Sequence, residues 1–85
     1  MLNKKASDKL LMLSGRQLVV SKDWEGNVCV HYGYCDVPYS CGYSTLCGRG
    51  RTFEDACEEY CDNISGKTIV FNLGCSDEKR VQVLF

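Results

Sequence analysis

The sequence predicts an α+β fold in which one antiparallel sheet of about four to five strands is backed by one main helix, in the order α-β-β-β-α-β-β. The chain has 85 residues, enough for one small hydrophobic core, which predicts a single domain over residues 1–85. Residues 53–64 repeat apolar side chains at helical spacings. The other apolar residues form short β-rich runs separated by turns that contain Gly, Asn or Asp.

Capping and turn residues set the limits of the predicted elements. Ser7 can cap a short first helix that Gly15 ends, and Thr52 can cap the main helix. Pro38 lies in a predicted turn between two strands that we expect to pair as a hairpin. The predicted strands are 17–22, 28–34, 42–47, 67–73 and 80–85, the hairpin turn is 36–40, residues 48–51 connect to the main helix, and residues 65–66 end it.

Charge and hydropathy argue against two classes of protein. Ten Lys and Arg against eleven Asp and Glu give a net charge of -1, which removes the broad attraction to phosphate on which nonspecific nucleic-acid binding depends. The longest apolar run, 10–13, is four residues, far below the ~20 that span a bilayer or the ~7 of an export signal. We therefore expect a cytoplasmic protein with reduced thiols and no membrane contact.

Four of the seven cysteines are evenly spaced along the predicted hairpin, with five residues between each and the next. Because side chains alternate between the faces of a strand, this spacing places the cysteines of one strand on one face. A hairpin symmetric about Pro38 would bring Cys35 opposite Cys41. One face of the sheet would then carry the side chains of Cys29, His31, Cys35, Cys41 and Cys47.

Together with two thiols of the main helix, these cysteines predict a structural zinc site. Cys57 and Cys61 are at positions i and i+4 of the main helix, which we expect to fold back across the sheet. Zinc takes four soft ligands in a tetrahedron, and the predicted set is Cys35, Cys41, Cys57 and Cys61. The reserve ligands are Cys29, His31, Cys47 and Cys75. The alternative is that these residues are small buried thiols or an oxidised pair.

We predict that the chain is not an enzyme. His31 is the only histidine, and no third group is marked by spacing or motif as its catalytic partner. The Gly-rich, basic segment 48–51 precedes a helix and could hold a phosphate, but we interpret it as a turn with solvated arginines. The alternative from another class is a small thiol enzyme or redox protein that uses His31 and a nearby cysteine.

The solvent side of the main helix is acidic. Carboxylates fill the positions between its apolar residues, and they are Glu54, Asp55, Glu58, Glu59 and Asp62. Complementary charge speeds the encounter with a basic partner and disfavours other partners. These five residues are therefore the predicted partner-binding set. The alternative is an ordinary solvated helix face, because surface helices carry their charges outside.

The strand-turn-helix segment 42–56 resembles the core of HicB-like antitoxin domains. In that family a strand with small polar residues leads through a Gly-containing turn and a Thr-x-Glu-Glu-Ala motif into an amphipathic helix. Here Thr52 and residues 54–56 hold those positions, with Asp55 in place of Glu. The resemblance covers residues 28–73 and implies a protein-binding fold that neutralises a toxin. Family antitoxins add a DNA-binding domain, which we do not expect in this chain, so operator binding is not expected either.

The predicted protein is also similar in general character to small prophage-encoded proteins, including anti-CRISPR inhibitors of the Cas9 nuclease. The shared character is a compact domain, acidic on its helix and held by zinc. This resemblance implies a phage-encoded inhibitor that binds a Cas9-type nuclease and blocks its DNA cleavage. The expected partner is a protein with a basic surface rather than nucleic acid, and toxin neutralisation is the alternative.

Overall fold

Two helices and seven strands form the fold in the computed structural model, which describes residues 5–15 and 18–85. The predicted α+β class is confirmed. Residue 17, where the first predicted strand begins, lies outside the described residues. The elements are α1 (Ala6–Leu13), β1 (Leu18–Lys22), β2 (Val28–Tyr32), β3 (Cys35–Tyr39), β4 (Gly42–Ser44), β5 (Gly48–Gly50), α2 (Phe53–Ile64), β6 (Thr68–Phe71) and β7 (Lys79–Gln82).

The strands form two antiparallel sheets where the sequence predicts one. Strands β1, β2 and β5 make a three-stranded sheet in that order, and β4, β3, β6 and β7 make a four-stranded sheet. The sheets divide at the turn after β2, where Tyr34 has a φ of 51°. Bulky side chains rarely adopt a positive φ, so the residue type gives no signal that the chain turns there.

The predicted hairpin about Pro38 is wrong. Residues 36–39 of the predicted turn lie inside β3, and the second predicted strand is divided, because only Gly42–Ser44 pairs with β3. The predicted connection to the main helix is partly strand β5, which pairs with β2. Cys35 therefore lies opposite Phe71, and Cys29 lies opposite Arg49. The four evenly spaced thiols do not share one face of a sheet.

Strand β3 accommodates Pro38 because the ladder of β3 with β6 ends before this residue. The pairs of β3 with β6 are Cys35 with Phe71 and Asp36 with Val70. Asn72 N–H donates to Tyr34 O, so the backbone groups of Tyr34 point toward β6. Because every second residue of an antiparallel strand points the same way, the backbone nitrogen of Pro38 also points toward β6. The β6 ladder has already ended at this position, so the missing N–H breaks no ladder bond. A proline read as a turn signal is here a strand residue.

Helix α1 is present as predicted, but Ser7 does not cap it. The N-cap position is Lys5, which makes no side-chain cap, and the helix ends at Leu13 with Ser14 as its C-cap. Ser7 lies in the first turn, and both its backbone N–H and its hydroxyl bond to Glu54 of α2. No helix in the described part of the chain is long and apolar enough to cross a membrane.

Three aromatic rings join the two sheets and the helices in one core. The ring of Tyr32 lies edge-on to Tyr60 and to Phe71, with centroid separations of 5.6 Å and 5.3 Å. Tyr32 N–H donates to the Tyr60 hydroxyl at 3.1 Å, and the Tyr32 hydroxyl donates to Leu10 O. Both phenol oxygens thus have partners in the core, as buried tyrosines require. Strand β2, both helices and β6 are fixed to one another through these rings.

Candidate functional site

Helix α2 begins where the sequence predicts it. The hydroxyl of Thr52 accepts the backbone N–H of Asp55 at 3.1 Å, which satisfies one of the free donors of the first turn. Glu54 and Asp55 follow in the first turn, where negative charge is favourable. The predicted N-cap is confirmed. The buried side of the helix consists of Ala56, Cys57, Tyr60, Cys61 and Ile64.

Two glycines of β5 let α2 lie directly on the three-stranded sheet. A Cβ on Gly48 would overlap the backbone of Ala56 and Tyr60, and a Cβ on Gly50 would lie 2.7 Å from Ala56 N. Real Cβ atoms do not approach backbone so closely, so only glycine fits. The Gly-Arg-Gly run is therefore helix-packing surface, a role that the sequence analysis missed. The alternation of glycines around Arg49 on one side of a strand is the signal that could have revealed it.

The carboxylates of α2 fall into two environments. Asp55, Glu58, Glu59 and Asp62 are exposed and constitute the acidic surface. In residues 5–15 and 18–85 the salt bridges are made by Arg49 and Arg80, and none of them reaches the acidic surface. These four predicted partner-binding residues lie together on the solvent side of one rigid helix.

Glu54, the fifth predicted partner-binding residue, is only half exposed and holds α1 against α2. Its Oε1 accepts the N–H of Ser7 at 3.1 Å, and its Oε2 accepts the Ser7 hydroxyl at 2.8 Å. These hydrogen bonds, first from the hydroxyl and then from the backbone, hold the pKa of Glu54 below its ordinary value. The carboxylate is therefore a structural contact between the helices.

A shallow cavity of about 300 Å³ lies where α1 meets this edge of α2. Lys5, the N-cap of α1, and Lys9 line it on one side, and Glu58 and Asp62 of the acidic surface line it on the other. Lys5 contributes to the lowered pKa of Glu54. One end of the acidic surface is thus bordered by positive charge.

The predicted zinc ligands lie in different environments. Cys35, Cys57 and Cys61 are buried near Tyr32, and burial raises the pKa of that phenol, with smaller contributions from these three thiols. Cys41 is exposed in the turn between β3 and β4. Within the described ranges no three or more His, Cys, Asp or Glu side chains are grouped so as to hold a metal ion. Zinc binding stays a prediction.

Burial changes the chemistry of the two helix thiols. It raises the pKa of Cys57 and of Cys61 to about 11 in each case. Nearby Glu54 adds to the rise at Cys57, and Lys9 opposes it at Cys61. The Sγ–H of Cys61 also donates to Ala6 O at 3.6 Å. Both thiols are therefore protonated at neutral pH and pack as small apolar groups.

The reserve ligands are spread over the molecule. Cys29 and His31 are half-buried on the same face of β2, whereas Cys47 and Cys75 are exposed outside the strands. His31 Nδ1 lies 2.8 Å from the backbone oxygen of Tyr32. That contact uses one ring nitrogen within the strand itself.

Comparison of the chain with protein-family models, with curated proteins and with solved structures found no match. The chain is an α+β protein with two antiparallel sheets, and its principal helix is acidic outside and thiol-bearing inside.

Proposed function

We propose that this chain is a small protein-binding inhibitor that docks its acidic surface on a basic surface of a Cas9-type nuclease and blocks DNA cleavage. The observation that carries the proposal is the placement of four exposed carboxylates on one side of α2. The helix is fixed by its glycine contacts and by the Glu54 bonds, so little order is lost when a partner binds. A nuclease channel built to hold nucleic acid supplies the complementary positive charge.

The environments of the two helix thiols support a packing role rather than thiol catalysis at these positions. Reactive cysteines have lowered pKa values and are accessible, whereas burial raises the pKa of Cys57 and of Cys61 to about 11. A nucleophilic Cys-His pair would need an accessible thiolate, which these two positions do not provide.

The test compares DNA cleavage by a guide-loaded Cas9-type nuclease in the presence of wild-type protein and of a charge-reversed variant. The variant is Glu59→Lys/Asp62→Lys, which reverses part of the acidic surface and leaves the Glu54 contact intact. We expect wild-type protein to inhibit cleavage and the variant to need at least about tenfold more protein for the same inhibition. The inhibition by wild-type protein should also weaken at higher salt, because screening shortens the reach of exposed charges.

The matched control carries the same change in charge elsewhere on the molecule. Glu25→Lys/Asp77→Lys reverses two exposed carboxylates outside α2 and removes their surface contacts with Arg49 and Asn72. Once circular dichroism shows that this variant is folded, it should inhibit as wild type does. If wild-type protein does not inhibit any such nuclease, the proposed target is wrong. If the two reversed variants lose inhibition equally, net charge rather than the acidic surface is responsible.

Toxin neutralisation is a second candidate, and the capping geometry favours it. Thr52 caps α2 at the position that the Thr-x-Glu-Glu-Ala motif of HicB-like domains gives it, although Gly48 and Gly50 lie in strand β5 rather than in the turn of that family. The acidic surface would then face a basic toxin. Rescue of bacterial growth by co-expression with a toxin encoded beside this chain, without effect on nuclease cleavage, would favour this function over nuclease inhibition.

A further inference from the structure

Strand β1 is an open and exposed edge of the three-stranded sheet. Four of its five residues are exposed, and the side chains of Val19 and Val20 are 44% and 52% accessible. In the part of the chain that the structure describes, β1 pairs with β2 on one side and with no strand on the other. An apolar edge of this kind is a template for another strand.

The hydrogen-bond pattern shows which backbone groups this edge offers. Asp23 N–H donates to Asn27 O at 3.0 Å in a three-residue hairpin loop that Gly26 closes with a φ of 87°. Hydrogen-bonded and non-hydrogen-bonded pairs alternate along an antiparallel ladder. Val19 and Ser21 therefore bond to β2, and the backbone groups of the intervening residues point away from the sheet. These outward residues are Leu18, Val20 and Lys22.

We propose that this edge binds β1 of a second copy of the chain, antiparallel and with Val20 on a two-fold axis perpendicular to the sheet. In this register Val20 lies opposite its own copy and Leu18 lies opposite Lys22. All three outward residues then form hydrogen-bonded pairs, which gives about six backbone hydrogen bonds. An axis through Val19 or Ser21 would use only two of the three outward residues in each strand.

The side chains fit this register as well. Val20 shares the helix-covered face with Val30, its partner in β2, but Val30 is fully buried and Val20 is half exposed. The symmetric contact between the two copies of Val20 would cover this apolar surface. Lys22, the charged residue of β1, would lie opposite Leu18 rather than opposite another cation.

The available area predicts a weak, reversible dimer. Two five-residue edges, with Val19 and Val20 already about half covered, bury less than the ~1,200 Å² of a standard specific interface. We therefore expect dissociation in the micromolar range and a sheet of six strands in the dimer.

Sedimentation velocity in reducing buffer tests the proposal over about a hundredfold range of protein concentration. The reductant prevents cross-links through the exposed cysteines. Wild-type protein should shift from monomer to dimer as its concentration rises. Val20→Lys and Val20→Asp should each stay monomeric, because each places like charges on the axis. An equimolar mixture of the two variants should regain the dimer, since the axis then pairs Lys with Asp.

The control is Tyr39→Lys, which puts the same charge on an exposed residue of β3 and should associate as wild type does. Thermal melts show whether the variants are folded. A wild-type protein that is monomeric at all concentrations overturns the proposal. Binding of another protein's strand to β1 would not rescue it, because the proposed partner is a second copy of this chain. Dimers of Val20→Lys, or a mixture that stays monomeric, would also overturn it.

Discussion

The two faces of α2 have similar numbers of residues and opposite chemistry. The inner face packs Tyr60 and two thiols against the sheet, with Tyr60 only 1% exposed. The outer face carries the acidic surface, whose side chains meet solvent. Within one helix, burial thus separates groups that hold the fold from groups that remain available to a partner. Substitutions on the inner face should change stability, and those on the outer face should change recognition.

Forcing the inner face of α2 away from the sheet should cause a large loss of stability. Gly48→Ala places a methyl group against the backbone of Ala56 and Tyr60, which cannot move aside as a flexible side chain could. We expect the free energy of unfolding to fall by about 3 kcal/mol, at the upper end of typical overpacking effects. Urea unfolding followed by far-ultraviolet circular dichroism measures this loss.

Gly15→Ala is the matched control for the Gly48 variant. Among the described residues, no atom beyond the chain neighbours of Gly15 lies within 4 Å of a Cβ there, so the same methyl group meets none of them. We expect its stability to be unchanged or raised by up to about 1 kcal/mol. Equal losses in the two variants would contradict the close packing of α2 on β5.

The sequence predicted α2 well because the signals for it are local. Thr52, the spacing of the apolar side chains and the acidic positions between them all belong to one continuous segment. The pairing of β3 and β5 could not be predicted in this way. A proline such as Pro38 is found both in turns and at strand positions where no N–H is needed, so the sequence does not distinguish the two. Only the position at which the pairing with β6 ends shows that Pro38 is a strand residue.

In the candidate site, too, the local features could be predicted from the sequence and the long-range contacts could not. Four of the five predicted partner-binding carboxylates are exposed, as a helical period implies, whereas the role of Glu54 depends on where α1 packs. The grouping of the predicted zinc ligands depended on the register of a hairpin that does not form. Long-range register is set by the whole core, and even spacing of cysteines does not determine it.

A second, smaller effect shows whether the predicted cysteine ligands bind zinc or only pack in the core. If zinc is bound by the predicted ligands, Cys41→Ser should reduce the zinc content and the melting temperature together, because a structural metal is coupled to folding. Cys41 is the informative ligand, since it is exposed and its replacement disturbs no packing. Metal analysis and thermal melts with and without chelator provide the measurement.

Packing alone gives a different pattern for the same thiols. Cys57→Ser would then cost about 1–3 kcal/mol, because it buries a hydroxyl among apolar side chains. Cys41→Ser would change stability by less than about 0.5 kcal/mol, as exposed substitutions usually do. A metal-free protein that shows this pattern would contradict the zinc prediction and leave the buried cysteines as core residues.

The smallest effect lies at Glu54, on the border between the two faces. Its pKa is lowered in the folded state, chiefly by the hydroxyl of Ser7, so its ionised form stabilises the fold. This contribution is complete above the ordinary glutamate pKa of 4.5 and is lost as the pH falls through the lower folded-state value. We expect Glu54→Gln to destabilise the protein by less than about 1 kcal/mol at pH 7, because the carboxylate is partly solvated. The difference from wild type should disappear under acidic conditions. Urea titrations of both proteins at each pH measure this difference, and a Glu54→Gln variant equal to wild type at neutral pH would show that the Ser7 contact does not hold α1 in place.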